Sequence, residues 1–361
     1  MLHALVMAGG AGTRFWPESR AALPKQLLRL AGNETLLETT LARLAGLVPP
    51  ERITVATAAR LARPIQEQLP QLDADRLILE PCKRDTAPCI ALAALRLLAV
   101  DPDATMLVCP ADHVLGPTEA FEKAIRQAAR LVDEGPRRLA TFGIRPTYPA
   151  ESFGYIERGE ALAHGAKGDA PAFDVARFHE KPKRELALQY LAVGSYYWNA
   201  GIFVWRAATI RDALAEREPE MLGHLARIVE AQGARDEASV FEREFAAVKP
   251  ISIDYAVLEH WPSVVVIEAP FDWDDVGSWQ ALSRLAPSDS NGNVMSGAHV
   301  GIDTMGSIIR AGDGHLVVTL GVRDLVIVHT PDVTLVANKH DEESIRRLTQ
   351  LLAERGLDKY L

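Results

Sequence analysis

The sequence predicts an α/β fold: a doubly wound, mainly parallel sheet with helices on both faces, plus a small C-terminal β-rich region that ends in a helix. Three observations carry this. Short apolar runs alternate with helical patterns along most of the 361 residues, as expected for a parallel sheet covered on both sides. The first apolar run ends in a Gly-rich turn, Ala8-Gly9-Gly10-Ala11-Gly12. Beyond a Pro, Ser, Asp, Asn and Gly cluster at residues 287–292, short β-type runs are punctuated by Gly or Asp, which reads as a linker and a separate β region.

The elements follow in order. Residues 2–8, 52–57, 77–79, 105–109 and 139–144 are expected strands. Residues 88–100 read as a helix with Pro88 at a tolerated N-terminal position. Another helix is expected after Pro117, with Thr118 as N-cap; Phe121, Ile125, Ala128 and Val132 fall on one helical face. In the second half, strands at 173–178, 202–205 and 264–267 are interleaved with helices at 207–218 and 252–259. Strands at 307–309, 316–319, 325–329 and 333–337 suit either a short β-helix or a small sheet. A last helix is expected at 342–354. The chain thus divides into residues 1–286 and 287–361.

Composition excludes several classes. Apolar residues are 48% and charged residues 24%, which rules out a disordered chain, a collagen-like fibre and a small disulfide scaffold. Lys plus Arg is 39 and Asp plus Glu is 48, a net charge of −9. That lacks the basic footprint of a nucleic-acid binder. Cys82, Cys89 and Cys109 form no CxxC or metal spacing and read as reduced thiols of a cytoplasmic protein. The apolar start runs into Gly9-Gly10 too soon for a signal segment. No run suits a membrane span.

Chemistry concentrates near the start. Glycines let a backbone approach a ligand and offer successive N–H groups to an anion. The turn is neither a P-loop, which needs a following Lys-Ser/Thr, nor a GxGxxG fingerprint, because Phe15 stands at the third Gly position. Arg14, Arg20 and Lys25 follow closely. In a net-acidic chain such a cluster suits a polyphosphate; a solvated basic face is the alternative.

The run Gly9-Gly10-Ala11-Gly12-Thr13-Arg14-Phe15-Trp16-Pro17-Glu18-Ser19-Arg20, with Pro24-Lys25-Gln26-Leu27-Leu28, resembles the signature of sugar-1-phosphate nucleotidyltransferases, and within them of mannose-1-phosphate guanylyltransferases. Further segments resemble the family in the same order. They are Glu80-Pro81 with Asp85-Thr86-Ala87-Pro88, Pro110-Ala111-Asp112-His113, Phe153-Gly154-Tyr155-Ile156, His179-Glu180-Lys181-Pro182, Trp198-Asn199-Ala200-Gly201 and Trp273-Asp274-Asp275-Val276-Gly277-Ser278-Trp279. The resemblance covers about residues 1–285. It implies a Rossmann-like, glycosyltransferase-A-like catalytic domain over 1–286 and a β-helical tail over 287–361. Longer bacterial relatives add a cupin-type isomerase domain, which this chain is expected to lack.

The resemblance implies GTP and mannose 1-phosphate as substrates, Mg²⁺ as cofactor, and a possible homodimer. A sugar-phosphate oxygen attacks the α-phosphorus and needs no general base, so positioning and charge neutralisation carry the catalysis. Asp112 and Asp275 are the implied metal carboxylates, Asp274 being the rival to Asp275. Arg14, Lys25 and Lys181 are the implied catalytic cations, Lys181 on the sugar phosphate. Ala8, Gly9, Gly10, Gly12, Thr13, Glu80, Asp85 and Thr86 are the expected nucleotide contacts. Asp85 stands where many relatives carry Asn. Gly154, Tyr155, Glu180 and Asn199 are the expected sugar contacts. His113, beside Asp112, is a further candidate for touching substrate.

Overall fold

The computed structural model describes residues 1–10, 12–162, 165–341 and 344–361. Ala11 of the Gly-rich turn and residue 342, the expected start of the last helix, lie outside the described residues. Among the described residues, eleven strands precede residue 287: β1 (Leu2–Met7), β2 (Ile53–Ala58), β3 (Leu77–Glu80), β4 (Thr105–Pro110), β5 (Val114–Gly116), β6 (Leu139–Ile144), β7 (Tyr155–Ala161), β8 (Ala172–His179), β9 (Tyr196–Arg206), β10 (Val264–Glu268) and β11 (Asp272–Asp274). Nine form one sheet in the order β3-β2-β1-β4-β9-β6-β10-β8-β7. The sheet is mixed: β8 and β9 run against the other seven strands. β5 and β11 pair with each other in a separate antiparallel ribbon.

Strand alternation sends successive side chains to opposite faces. On β1, Leu5 joins one buried cluster while Ala4 and Val6 join the other; on β4, Met106 and Val108 oppose Leu107 and Cys109. Helices Thr86–Leu98, Ala207–Arg217 and Pro219–Glu230 cover the first face. Leu36–Leu44 and Thr118–Glu134 cover the second. Phe121, Ile125, Ala128 and Val132 are all buried, as their spacing requires. Pro117, not Thr118, occupies the N-cap, and no side chain caps that helix end. The expected helix at 252–259 is a five-residue π-turn, Asp254–Leu258. Among the described residues no helix is long and apolar enough to cross a membrane.

The C-terminal region is a β-helix. Its strands are β12 (Val294–Ser296), β13 (Ala298–Ile302), β14 (Ile308–Arg310), β15 (Leu316–Leu320), β16 (Leu325–His329) and β17 (Thr334–Asn338). β12, β14 and β16 stack in parallel on one side of the coil, and β13 and β15 stack in parallel on another. This parallel stacking decides between coil and simple sheet. Ile309, Val317 and Ile327 fill the inside. β17 turns back antiparallel along β16, and helix Ser344–Glu354 follows.

The β-helix shares a core with the first region. Phe15, Trp16, Leu28, Val276 and Trp279 pack with Ile308, Val326, Val328 and Ile345. Trp279 is fully buried and meets Phe15 edge-on, ring centres 5.0 Å apart. Trp279→Ala should therefore cost about 3–5 kcal/mol, the range for emptying a buried aromatic site. A urea titration followed by circular dichroism checks this, and a loss below about 1 kcal/mol would show that the two regions do not stabilise each other through this core.

Candidate active site

The site forms at the carboxyl ends of β1 and β4, the edge where open α/β sheets bind ligands. As β1 ends, the backbone of Ala8 is fully engaged. Its N–H donates to the Ala56 carbonyl at 2.7 Å. Its carbonyl accepts from Gln26 Nε2 at 2.5 Å and Thr57 Oγ1 at 3.1 Å. These bonds fix the root of the turn. Gly9 and Gly10 then border a cleft of about 530 Å³. Gly12 has φ +60°, and a Cβ there would lie 2.3 Å from the Lys25 Cβ. Only glycine permits that conformation and that approach at low cost, so the turn is laid directly on Lys25.

Lys25 is the centre of the site. Its side chain is only 8% exposed, and its ammonium donates to Asp112 Oδ2 at 2.8 Å and to the Asp275 carbonyl at 2.5 Å. The β5–β11 ribbon brings the two aspartates together. Asp274 pairs with Val114 and Trp273 with Leu115, so Asp112 and Asp275 flank the same end of the ribbon. Arg14 closes the group by donating to the Gly277 carbonyl at 3.1 Å.

The electrostatics separate the two carboxyls. Burial alone would raise Asp112, but the Lys25 charge and hydrogen bond hold it below the usual carboxylate range. Burial lifts the Asp275 carboxyl above that range, and the charges of Asp274 and Asp112 add to the lift against the pull of Lys25. Asp274 is already spent. Its carboxylate takes Arg284 Nε at 2.5 Å, Arg284 Nη2 at 3.0 Å and the Val276 N–H at 2.8 Å. The Asp275 carboxylate makes no hydrogen bond among the described residues. That distinction favours Asp275 over Asp274 as a ligand. Burial pushes His113 down to about 4. Trp273 Nε1 donates to its Nδ1 at 3.1 Å, so the imidazole is held neutral as wall.

Ala8, Gly9, Gly10, Glu80, Asp85 and Thr86 of the expected nucleotide residues share the cleft with Asp112; Gly12 and Thr13 do not line it, Thr13 opening the helical turn Thr13–Phe15. Burial pushes the Glu80 carboxyl up to about 7. Asp85 caps helix Thr86–Leu98 by accepting the Thr86 N–H at 2.9 Å, from a backbone at φ +68° and ψ −167°. Thr86 Oγ1 accepts the Ile253 N–H at 2.9 Å.

The expected sugar residues form a second group. Asn199 N–H donates to the Gly154 carbonyl at 2.9 Å. A Cβ on Gly154 would lie 2.5 Å from Glu180 Oε2. Lys181 Nζ pairs with Glu180 Oε1 at 2.5 Å and is 60% exposed. Asn199 Nδ2 donates to Asp254 Oδ1 at 2.9 Å, and Asp254 lines the same cleft as Glu80. The two groups are therefore joined.

A family model described as nucleotidyl transferase matches residues 3–292. The chain belongs to the nucleotidyl transferase family. A model of the MannoseP isomerase/GMP-like beta-helix domain matches residues 297–352. A mannose-1-phosphate guanylyltransferase of Klebsiella pneumoniae is 40% identical over 363 residues, covering 100% of this chain and 76% of that relative. The Escherichia coli K12 mannose-1-phosphate guanylyltransferase is 40% identical over 360 residues, covering 98% and 74%. The crystal structure of a Thermus thermophilus protein, described as a mannose-1-phosphate geranyltransferase, superposes with a TM-score of 0.86 at 37% identity, covering 98% of this chain and 99% of that one.

Two expectations for this nucleotidyl transferase change. Tyr155 is fully buried in an aromatic cluster with Phe153, Tyr190 and Trp198, so it supports Gly154 from behind and does not face a sugar. Arg20 turns away from the glycines to Asp332 of the β-helix, at 3.0 Å, because the loop doubles back at Pro17. The sequence reading missed Asp254. Its carboxyl is pushed up to about 6 by burial and then by the charge of Glu180. The available signal was an acidic residue opening a short helical run at 252–259. It also missed Gln26, although a polar residue inside an apolar run, Leu23 to Leu28, was visible.

Glu80 yields a pH prediction. Between about pH 4.5 and 7 the folded chain holds a proton there that the unfolded chain has lost. This group's contribution to stability therefore falls as pH rises through that window and is level above it. Urea midpoints at pH 5 and 7.5 should lie closer together in Glu80→Gln than in the wild type. An unchanged gap would mean that Glu80 ionises normally.

Proposed function

We propose that this chain transfers the GMP group of GTP to α-D-mannose 1-phosphate, releasing GDP-mannose and pyrophosphate. The observation that carries this reading is the Lys25 ammonium held between Asp112 and Asp275 beside a cleft that runs from Gly9, Gly10 and Glu80 to Asp254. The relatives named above support the choice of base and sugar. Residues 1–286 would carry the transfer and 287–361 would brace it.

The nucleophile is a phosphate oxygen of the sugar, already an anion near pH 7. It attacks the α-phosphorus, the bond to the β-phosphate bridging oxygen breaks, and pyrophosphate leaves with the electron pair. No proton has to be removed, so the chain's task is to place two anions in line and spread their charge. Arg14 offers a planar fork to the triphosphate, and Lys25 a compact charge to the leaving pyrophosphate. Gly9, Gly10, Gly12 and Thr13 bring backbone N–H groups to the phosphates. Asp112 and Asp275 are hard oxygen donors of the kind Mg²⁺ uses, and that ion needs only one or two carboxylates when phosphates and waters complete its shell. When bound, it would neutralise phosphate charge.

Glu80 would accept from the N1–H and N2–H₂ donors of guanine, with Asp85 and Thr86 lining the same cleft. Glu180 keeps one carboxylate oxygen for sugar hydroxyls, and Asn199 keeps one amide proton. Lys181 would leave Glu180 for the sugar phosphate. The three unpaired cysteines suit a cytoplasmic, reducing setting.

The test is pyrophosphate release by purified protein with Mg²⁺ over four nucleoside triphosphates and the 1-phosphates of mannose, glucose and N-acetylglucosamine. Release confined to GTP and mannose 1-phosphate is expected, and Asp112→Asn should reduce it about 10³-fold, the scale of losing one electrostatic anchor of a transition state. Release at another corner would overturn the specificity assigned to Glu80, Glu180 and Asn199. Silence with folded protein would favour a non-catalytic sugar-nucleotide sensor.

A homodimer finds support on the β-helix. The outward residues of β13 and β15 pair in register, Val300 beside Val318 and Ile302 beside Leu320. They are 57%, 65%, 63% and 71% exposed. An aliphatic, uncharged sheet face is self-complementary and suits a two-fold contact between copies. Light scattering should give a dimer for the wild type and a monomer for Val318→Asp. A wild-type monomer at micromolar concentration would remove this contact.

A further inference from the structure

One residue of the β-helix touches all three segments that carry the charged centre. Arg310, at the end of β14, is 16% exposed. Its Nε donates to Glu18 Oε1 at 2.5 Å, and its Nη2 donates to the Arg29 carbonyl at 3.2 Å. Its guanidinium lies 5.9 Å from the centre of the Trp279 ring. Glu18 lies in the loop after Arg14, and its N–H is bonded to the Phe15 carbonyl at 2.9 Å. Arg29 directly follows Leu28, whose N–H is bonded to the Lys25 carbonyl at 2.9 Å. Trp279 is four residues beyond Asp275, and its Nε1 donates to the Trp16 carbonyl at 3.3 Å.

We propose that Arg310 is a positioning residue for nucleotidyl transfer: it fixes the Arg14, Lys25 and Asp275 segments relative to one another from outside the catalytic region. The argument is geometric. Each segment is a loop or a single helical turn, and Arg310 adds a tie to all three from the β-helix side. Arg310 supplies a planar group whose donors and face meet all three at once, which a point charge cannot do. Three further ties, each to one segment only, run the same way. Arg20 meets Asp332 at 3.0 Å, Trp16 Nε1 donates to the Tyr360 carbonyl at 2.7 Å, and Gln280 Nε2 donates to the Lys339 carbonyl at 2.7 Å. The sugar side is not included. Glu180 and Asn199 stand on or beside β8 and β9, which Arg310 does not touch.

This inference rests on the transfer activity proposed above, and the test separates the two. Arg310→Ala and Arg310→Lys are compared with wild type by steady-state pyrophosphate release and by amide hydrogen exchange without substrate. For Arg310→Ala we expect kcat to fall at least 10-fold, with KM for mannose 1-phosphate changed less than 2-fold. Arg310→Lys, which keeps the charge without the fork, should recover part of kcat. Exchange should accelerate in residues 13–20 and 275–280 together and stay unchanged in β6 and β9. A folded Arg310→Ala protein with kcat within 2-fold of wild type overturns the proposal. So does faster exchange confined to the β-helix, or a matching rise in KM. If wild type releases no pyrophosphate, the transfer reading fails, and the exchange pattern alone still decides whether Arg310 couples the loops. Should Arg310→Ala not fold, Glu18→Gln, which weakens the same contact from the other side, must give the same split.

Discussion

Everything around the site is arranged so that one ammonium group can sit where two aspartates converge. Lys25 in water would lie far from any fixed partner; here it is nearly buried, and such burial is tolerable only because opposite charge and a carbonyl dipole surround it. The Gly12 approach brings the turn onto its stem, the β5–β11 ribbon delivers Asp112 and Asp275, and the Gln26 amide anchors Ala8 beside it. The Lys25 charge pulls both aspartates down, but its hydrogen bond reaches only the Asp112 carboxylate, while Asp274 and Asp112 push Asp275 up. A phosphate entering here would meet a charge network already organised, which is the arrangement that electrostatic catalysis requires.

Strain is gathered at the same place. Among the described residues, five other than glycine have positive φ: Asp85, Lys181, Val276, Asp303 and Asp324. The first three belong to the cap of helix Thr86–Leu98, the Glu180–Lys181 ion pair and the aspartate loop. Val276 is the most telling, because a β-branched residue in that region is disfavoured by its own side chain. It persists because Val276 is buried in the core shared with the β-helix and its N–H is held by Asp274. The packing of the C-terminal region thus bears part of the cost of the conformation that presents Asp275.

Local signals made much of this legible in the sequence. The alternating apolar runs located β1 to β4 and β6 within a residue or two, because strands buried on both faces leave near-continuous apolar runs. The Gly-rich turn and the cations after it stood out through residue type and spacing, whereas Asp112 and Asp275 were singled out by the family resemblance of the segments that carry them. Reversal of β8 and β9 was not visible, since direction depends on crossover paths rather than on local pattern. Helix Leu36–Leu44 was passed over although Thr35 and Glu38 form a capping box, a signal that was there to be read. Tyr155 was misjudged because burial is a property of the assembled sheet. Asp254 was missed because its meaning comes from Asn199, fifty-five residues earlier.

The β5–β11 ribbon has a consequence for how such a chain can diverge. Its three paired positions tie the spacing of Asp112 and Asp275 to backbone register. Adding or deleting one residue on either strand would shift a carboxylate by about 3.3 Å and turn it to the opposite face. Length variation is therefore closed to residues 112–116 and 272–275, even where side chains could be exchanged. The mostly exposed turn at residues 231–236, between helices Pro219–Glu230 and Glu237–Ala247, has no such duty. New loops acquired by descent, or grafted by design, belong there, where a change of length leaves the two aspartates undisturbed.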